Sequence, residues 1–319
     1  MTTLAARVGA LGETVALPDP GPLSDGQARF AIEHFALTAN NVTYAVHGED
    51  FAYWRFFPVP EGSEDLGIVP VWGFACVTES RADDISKGQR FFGYWPMASQ
   101  VVLTPVQVSA HGFTDGAAHR AGLPPFYNRY NPASPAWGDE ALQCLFRPLY
   151  ATSFLIDCLM ATRPVDTLVL SSASSKTALG VAQAAKGRQK VVGLTSPANR
   201  DFCLKTGYYD QVLSYDEIAQ VEGEAIAFVD FSGHGGVRSD VHTLLGARLK
   251  ESHIVGDTHW QTPNSNALPG PVPQLFFAPT VAQDRVAEWG PAGFEARLGA
   301  AWGRFAATLG WLRVARVSG

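Results

Sequence analysis

The sequence predicts an α/β protein in two parts, a parallel sheet with flanking helices in its second half and an antiparallel, barrel-like set of strands in its first. Three observations carry this. From Thr167 to Val255, short apolar runs alternate with helical stretches, the pattern of βαβ units with right-handed crossovers. From Val69 to Val108 the apolar runs are short and broken by Gly, Asp and Lys, the pattern of antiparallel strands. The chain has 319 residues and is 46% hydrophobic, 17% charged and 11% aromatic, which suits one large or two medium globular domains and excludes a disordered chain.

Taken in order, Gln27–His34 reads as a helical stretch, and Phe35–His47, with its Val, Thr and Tyr, as strand. Strands follow at Ile68–Val71, Phe74–Thr78, Phe91–Trp95 and Val101–Thr104, and Gly112–Pro135 reads as a long surface loop. Asp139–Thr162 is apolar and helical, with a break expected near Pro148. Then come strands at Thr167–Ser171, Lys190–Leu194, Gln211–Leu213, Ala225–Phe231 and Ser252–Val255. Helices are expected between them at about Ser175–Lys186, Ala198–Thr206 and Val237–Lys250. Thr262–Pro273 is a Pro/Asn-rich linker, and Val281–Ala307 repeats its aromatic residues at helical spacing.

The formal charge of −6 argues against nucleic acid and anionic membranes as partners, since both need a basic face. No apolar run approaches the roughly 18 residues of a membrane span, and Met1–Gly12 lacks the pattern of a signal peptide, so the expected location is cytoplasmic. Cys76, Cys144, Cys158 and Cys203 lie far apart and read as buried thiols in a reducing compartment; no ligand cluster for a metal is expected.

The chemistry concentrates in the loop after the first strand of the second half. A strand–loop–helix that presents backbone N–H groups at a helix N-terminus suits an anion such as a pyrophosphate. Such loops are usually glycine-rich; here Ser172, Ser175 and Ala178 stand where glycines are expected, within Ser172-Ala173-Ser174-Ser175-Lys176-Thr177-Ala178. Serine allows close approach and adds hydroxyl donors, and Lys176 adds charge. The competing reading is an ordinary helix start capped by Ser174 or Ser175. A P-loop is excluded because positions 170 and 175 are Leu and Ser. An acyl-serine SxxK site is excluded by Ala173, and no GxSxG elbow exists.

These residues carry a resemblance. Thr167–Ala185, Val191-Val192-Gly193-Leu194-Thr195-Ser196, Phe202–Gly207 and Val212-Leu213-Ser214-Tyr215 resemble, in order and spacing, the nucleotide domain of the medium-chain dehydrogenase/reductase superfamily. The likeness is greatest to its zinc-independent quinone and enoyl reductases, as a divergent branch. Ala36–Tyr44 and Gly73–Gly93, with Lys87-Gly88-Gln89-Arg90, resemble parts of that superfamily's catalytic domain. The resemblance implies a GroES-like antiparallel β-barrel domain over residues 1–135, completed in part by 265–319, and a Rossmann dinucleotide-binding domain over 136–264. Two departures stand out. The tail after the nucleotide domain is short, and Trp72-Gly73-Phe74-Ala75 replaces the Gly-His-Glu of the zinc-dependent branch, so no catalytic zinc is expected.

The cofactor expected is NADPH. Sites that select NAD place a carboxylate about 20 residues beyond the glycine loop. Here that place holds Thr195, Ser196, Asn199 and Arg200, whose hydroxyls and guanidinium suit a 2′-phosphate. Arg200 as a plain solvated helix residue is the alternative. Tyr215 and His259 complete the expected cofactor set; His259 with Trp260, and Ser232-Gly233-His234, follow strands at the end where open α/β sheets bind ligands, although a lone His is more often structural. For chemistry the resemblance points to Tyr53 as proton donor, with Tyr44 beside it and Asn41 as orienter. Packing explains Tyr53 equally well, and a turn explains Asn41. Phe276-Phe277 lines a hydrophobic substrate pocket or joins the core.

The function implied is NADPH-dependent transfer of hydride to an activated C=C or carbonyl of a small apolar substrate, such as an enone, enoyl thioester or quinone. The competing function is an NADPH-binding sensor or structural protein of the same fold without catalysis. An acyl-transferring hydrolase lacks a nucleophile motif. A small-molecule substrate is the partner expected, with a homodimer as an option for assembly.

Overall fold

The computed structural model describes residues 3–255 and 268–317. It divides into two compact units, Met1–Pro148 and Leu149–Gly319.

In the first unit, strands β1 (Thr3–Arg7), β2 (Ala10–Leu17) and β4 (Leu66–Gly67) form a small antiparallel sheet. The main sheet contains β3 (Ala28–Ala36), β5 (Pro70–Ser80), β6 (Arg90–Pro96), β7 (Gln100–Leu103), β8 (Pro105–Ser109), β9 (Gly112–Asp115) and β10 (Arg129–Pro132). Its order is β7-β3-β5-β6-β10-β9-β8, with every pairing antiparallel. The edge strands β7 and β8 are separated in sequence by Thr104 alone, so the two edges meet and the sheet curls on itself. This is the expected GroES-like barrel. Its interior is aromatic: Phe30, Phe74, Tyr94, Trp95, Phe113 and Tyr130 are fully buried.

Three expectations for this unit are corrected. Gln27–His34 is strand and not helix, because Ala28 and Phe30 alternate inward and β3 is held between β5 and β7. The helix instead begins at Thr38, as α1 (Ala39–Val46), started by a capping box with Asn41. Gly112–Pro135 is not a surface loop; it supplies β9 and β10 and buries Asp115, Arg120, Asn128 and Tyr130. One packing feature fixes the turn after α1. The Trp54 indole fills the space over two glycines, and a Cβ built on Gly48 or Gly67 would lie 2.0 or 2.5 Å from its ring atoms.

Helix α2 (Glu140–Met160) runs on through Pro148 without the expected break. It starts at Asp139, whose carboxylate accepts from the amides of Ala141 and Leu142.

The second unit is built on six parallel strands: β11 (Thr167–Leu170), β12 (Lys190–Thr195), β13 (Gln211–Ser214), β14 (Ile226–Asp230), β15 (Leu249–Ile254) and β16 (Gln274–Leu275). Their order is β13-β12-β11-β14-β15-β16, the doubly wound Rossmann order, with the reversal between β11 and β14. Helices α3 (Lys176–Ala185), α4 (Pro197–Thr206) and α5 (Gly235–Leu245) lie close to the predicted places. Residues 249 and 250, expected as the helix end, open β15 instead. Helix α6 (Ala278–Ala306) kinks at Gly290, where φ is +72°, just before Pro291. Its end packs Trp302 and Phe305 on Tyr150, with ring centroids 5.4 and 4.9 Å apart. The Trp311 indole donates to the Tyr208 hydroxyl at 3.1 Å. The tail thus packs within the second unit. No helix among the described residues is long and apolar enough to cross a membrane.

Candidate functional site

The reversal point of the parallel sheet is where a ligand crevice forms, because the helices after β11 and β14 leave to opposite faces. Ser171 directly follows β11 and Asp230 ends β14, and both are fully buried. The Ser171 hydroxyl donates to Asp230 Oδ1 at 2.7 Å and accepts from the amides of Phe231 and Ser232. Asp230 Oδ1 also accepts from the Ser232 hydroxyl at 2.6 Å, and Oδ2 takes Arg238 Nε and Nη2 at 3.0 Å each. This knot ties the two strand ends together. The sequence reading missed Asp230 and Arg238; an Asp closing a run of buried apolar strand residues was the available signal.

Beyond Ser171 the loop has the shape of a glycine loop without glycine. Ser172 has φ +45°, in the left-handed region that serine seldom occupies. Its amide donates to the Tyr215 hydroxyl at 3.1 Å, which brings the end of β13 to the loop. Ala173 is spent on structure: its amide donates to Leu194 O and its carbonyl accepts from the Tyr209 hydroxyl at 2.6 Å. Ser175 caps α3, its hydroxyl accepting from Ala178 N. The capping reading of this serine therefore holds, yet it leaves the rest of the helix start open. The amides of Ser174, Lys176 and Thr177 have no acceptor among the described residues. Lys176 is half-buried with no ion-pair partner there, and burial lowers its pKa from the usual 10.5. Ala178 is fully buried, so its side chain packs inward and only small residues fit.

At the end of β12, Thr195 is 1% exposed and turned inward, where it lowers the burial-raised pKa of Cys203. Ser196 stands at the start of α4 and its hydroxyl accepts from Asn199 Nδ2 at 3.3 Å. Arg200 Nη1 is 2.9 Å from Glu217 Oε2, an ion pair that was not foreseen. Hydrogen bonds from the Ser214 amide and hydroxyl hold Glu217 and keep its pKa low. His234 caps α5, accepting from Val237 N. His259 and Trp260 lie outside the described residues. Phe276 is buried and Phe277 exposed.

In the first unit, Tyr44 and Tyr53 do come together, with ring centroids 4.8 Å apart. Tyr127 joins them at 6.3 and 5.7 Å, a residue hidden in the stretch read as loop. The Tyr44 hydroxyl accepts from Trp72 Nε1 at 3.2 Å, and burial pushes its pKa up to about 12. Burial also raises Tyr53, partly offset by the Tyr127 hydroxyl. Both phenols therefore keep their protons well beyond neutral pH. Asn41 is fully engaged in structure: Oδ1 accepts from Thr38 N at 2.7 Å and Nδ2 donates to Pro70 O at 2.9 Å. It caps α1, so the turn reading describes it. No group of three or more His, Cys, Asp or Glu suited to a metal occurs among the described residues.

A family model described as "Protein of unknown function (DUF2855)" matches residues 35–319. No curated protein matches. Solved structures share the fold across nearly the whole chain. The CurF ER cyclopropanase of the curacin A biosynthetic pathway is 15% identical at a TM-score of 0.61, over 96% of this chain and 87% of its own. A mutant form of enoyl thioester reductase from Candida tropicalis is 11% identical at 0.56, over 95% and 90%. The Etr1p/NADP/crotonyl-CoA complex is 10% identical at 0.57, over 95% and 89%. The fold is that of the medium-chain quinone and enoyl reductases.

Proposed function

The chain belongs to this DUF2855 family, and we propose that it is an NADPH-dependent reductase of an activated C=C or carbonyl in a small apolar substrate. The observation that carries the reading is the start of α3, where, among the described residues, the amides of Ser174, Lys176 and Thr177 have no acceptor and the half-buried Lys176 has no acidic partner. A helix N-terminus with free amides attracts an anion, and a cation nearby strengthens the attraction. Both fit the pyrophosphate of a dinucleotide. The Etr1p/NADP/crotonyl-CoA complex among the similar structures supports that choice.

When bound, NADPH supplies the hydride; the chain binds, orients and provides a proton. In this reading Ser172, Ser174, Ser175, Lys176 and Thr177 hold the pyrophosphate, with Tyr215 fixing the loop from behind. Ser196, Asn199 and Arg200 receive the 2′-phosphate, although Arg200 first has to share Glu217. Thr195, Ala173 and Ala178 act only by packing. Tyr53, kept protonated by burial, donates the proton, and Tyr44 holds it by ring contact. No metal takes part.

The test is consumption of NADPH by the full-length protein with a panel of enones, quinones, enoyl thioesters and aldehydes. Turnover with one of these, reduced at least tenfold in Tyr53→Phe, is the expected result. Tight NADPH binding with no turnover across the panel would replace it with the sensor reading, which the structural commitment of Asn41 favours.

A further inference from the structure

The short helical turn Tyr215–Gln220, directly after β13, touches two parts of the nucleotide site at once. Its Tyr215 hydroxyl accepts from the Ser172 amide at 3.1 Å, in the loop assigned to the pyrophosphate. Its Glu217 Oε2 lies 2.9 Å from Arg200 Nη1, the cation assigned to the 2′-phosphate. Strands β12 and β13 pair in parallel with Thr195 opposite Ser214, so the segments that carry Arg200 and Glu217 leave the sheet at the same rim.

The two partners are not held alike. Glu217 Oε2 also accepts from the Ser214 amide at 2.9 Å and from the Ser214 hydroxyl at 2.8 Å. These bonds belong to a capping box that starts the turn, so the carboxylate is tied to the fold before Arg200 reaches it. They also keep it ionised at neutral pH. Arg200 is the freer side chain, 41% exposed against 25% for Glu217. A 2′-phosphate that arrives here meets a cation already engaged by a fixed anion, and has to draw the guanidinium away or share it. A ribose with a plain 2′-hydroxyl meets no such competition. On the reading that Arg200 receives the 2′-phosphate, we propose that Glu217 is a specificity-determining residue: by holding Arg200 it limits the preference of the site for 2′-phosphorylated nucleotides.

The test needs no turnover. The full-length protein is titrated by calorimetry with adenosine 2′,5′-bisphosphate and adenosine 5′-monophosphate, which differ only in the 2′-phosphate, and the ratio of their affinities is read. Salt at about 0.15 M screens direct repulsion between exposed charges. Glu217→Gln removes the charge but keeps a side-chain oxygen for the Ser214 amide, so the turn survives. It should raise the ratio about threefold, the scale of one exposed ion pair, by tightening the bisphosphate and leaving the monophosphate unchanged. In an Arg200→Ala background the same substitution should leave the ratio where it was, because no cation remains to be released. An unchanged ratio in Glu217→Gln, in a protein that favours the bisphosphate, would overturn the role of Glu217 alone. So would the full gain surviving in Arg200→Ala. Equal affinity for both nucleotides in the wild type and in Glu217→Gln would remove the 2′-phosphate assignment itself, and binding of neither would remove the dinucleotide site with it.

Discussion

The two units place their polar groups in opposite ways. In the parallel unit the two central strands β11 and β14 bury an apolar run, with Leu168, Val169, Leu170 and Ile226 to Val229 fully buried, and at the reversal point polar chemistry begins where these runs stop. Ser171, Asp230 and the amides at the start of α3 all stand at that rim. In the antiparallel unit the polar groups lie inside: Asp115, Arg120 and Asn128 are buried beneath Phe56, Phe57 and Tyr130. A parallel sheet covered on both faces has nowhere else to put a ligand, whereas a curled sheet can close over its own ion pair. Damage to a polar group should therefore register as lost stability in the first unit and as lost binding in the second.

Asp115→Ala should have the largest effect. It strands the Arg120 guanidinium in the interior, and breaking a buried pair costs about 3–5 kcal/mol. Urea denaturation should show the loss, with cofactor affinity of the remaining folded protein unchanged. Asp230→Ala tests the boundary between the two behaviours, since this carboxylate is buried yet sits at the rim. It should cost about 2 kcal/mol through its charged hydrogen bonds and also weaken NADPH, because Ser171 and the loop lose their anchor. Lost stability with wild-type affinity would break the contrast.

Lys176 should affect binding alone. Lys176→Ala is expected to weaken NADPH up to tenfold, about 1.4 kcal/mol, by calorimetric titration, without changing the unfolding midpoint. Its proton must be present to attract phosphate, and burial lowers its pKa below the usual 10.5. Affinity should then fall as pH rises through that lowered value, and the alanine variant should flatten the profile. Lys176→Pro goes further. Ser175, at φ −71° and ψ 147°, already suits a residue before proline, and the first helical position tolerates one. An affinity loss beyond that of Lys176→Ala isolates the backbone amide. The smallest effect belongs to Arg200→Ala. NADPH should bind at least tenfold tighter than NADH, and this variant should narrow the gap only about threefold, because Glu217 already holds the guanidinium. Equal affinity of the wild type for both cofactors would sink the selectivity.

The second unit was legible because its code is local. Each βαβ repeat announces itself by an apolar run and a helical stretch, and the serine loop fell where a glycine loop belongs. The burial of Ala178 and the inward turn of Thr195 were not legible, since periodicity does not say which side of a loop a small residue faces. The first unit hides its code in long-range pairing. Ala28–Ala36 is strand because β5 and β7 flank it, and nothing in its own propensities shows that. Arg120 and Asp115 sit in a stretch of Gly, Pro and Asn with no period, so their pairing could not be inferred. Neither could the meeting of Tyr127 with Tyr53, 74 positions away in sequence.

The Trp54 indole has a consequence for inheritance. Neither Gly48 nor Gly67 is held by an unusual torsion; each is glycine because the ring occupies the space where a side chain would begin. Three positions, spread over twenty residues of chain, therefore form one unit of variation. A smaller residue at 54 would free both glycines to drift, and a side chain arriving first at 48 or 67 would expel the indole. Related chains should change all three together or none.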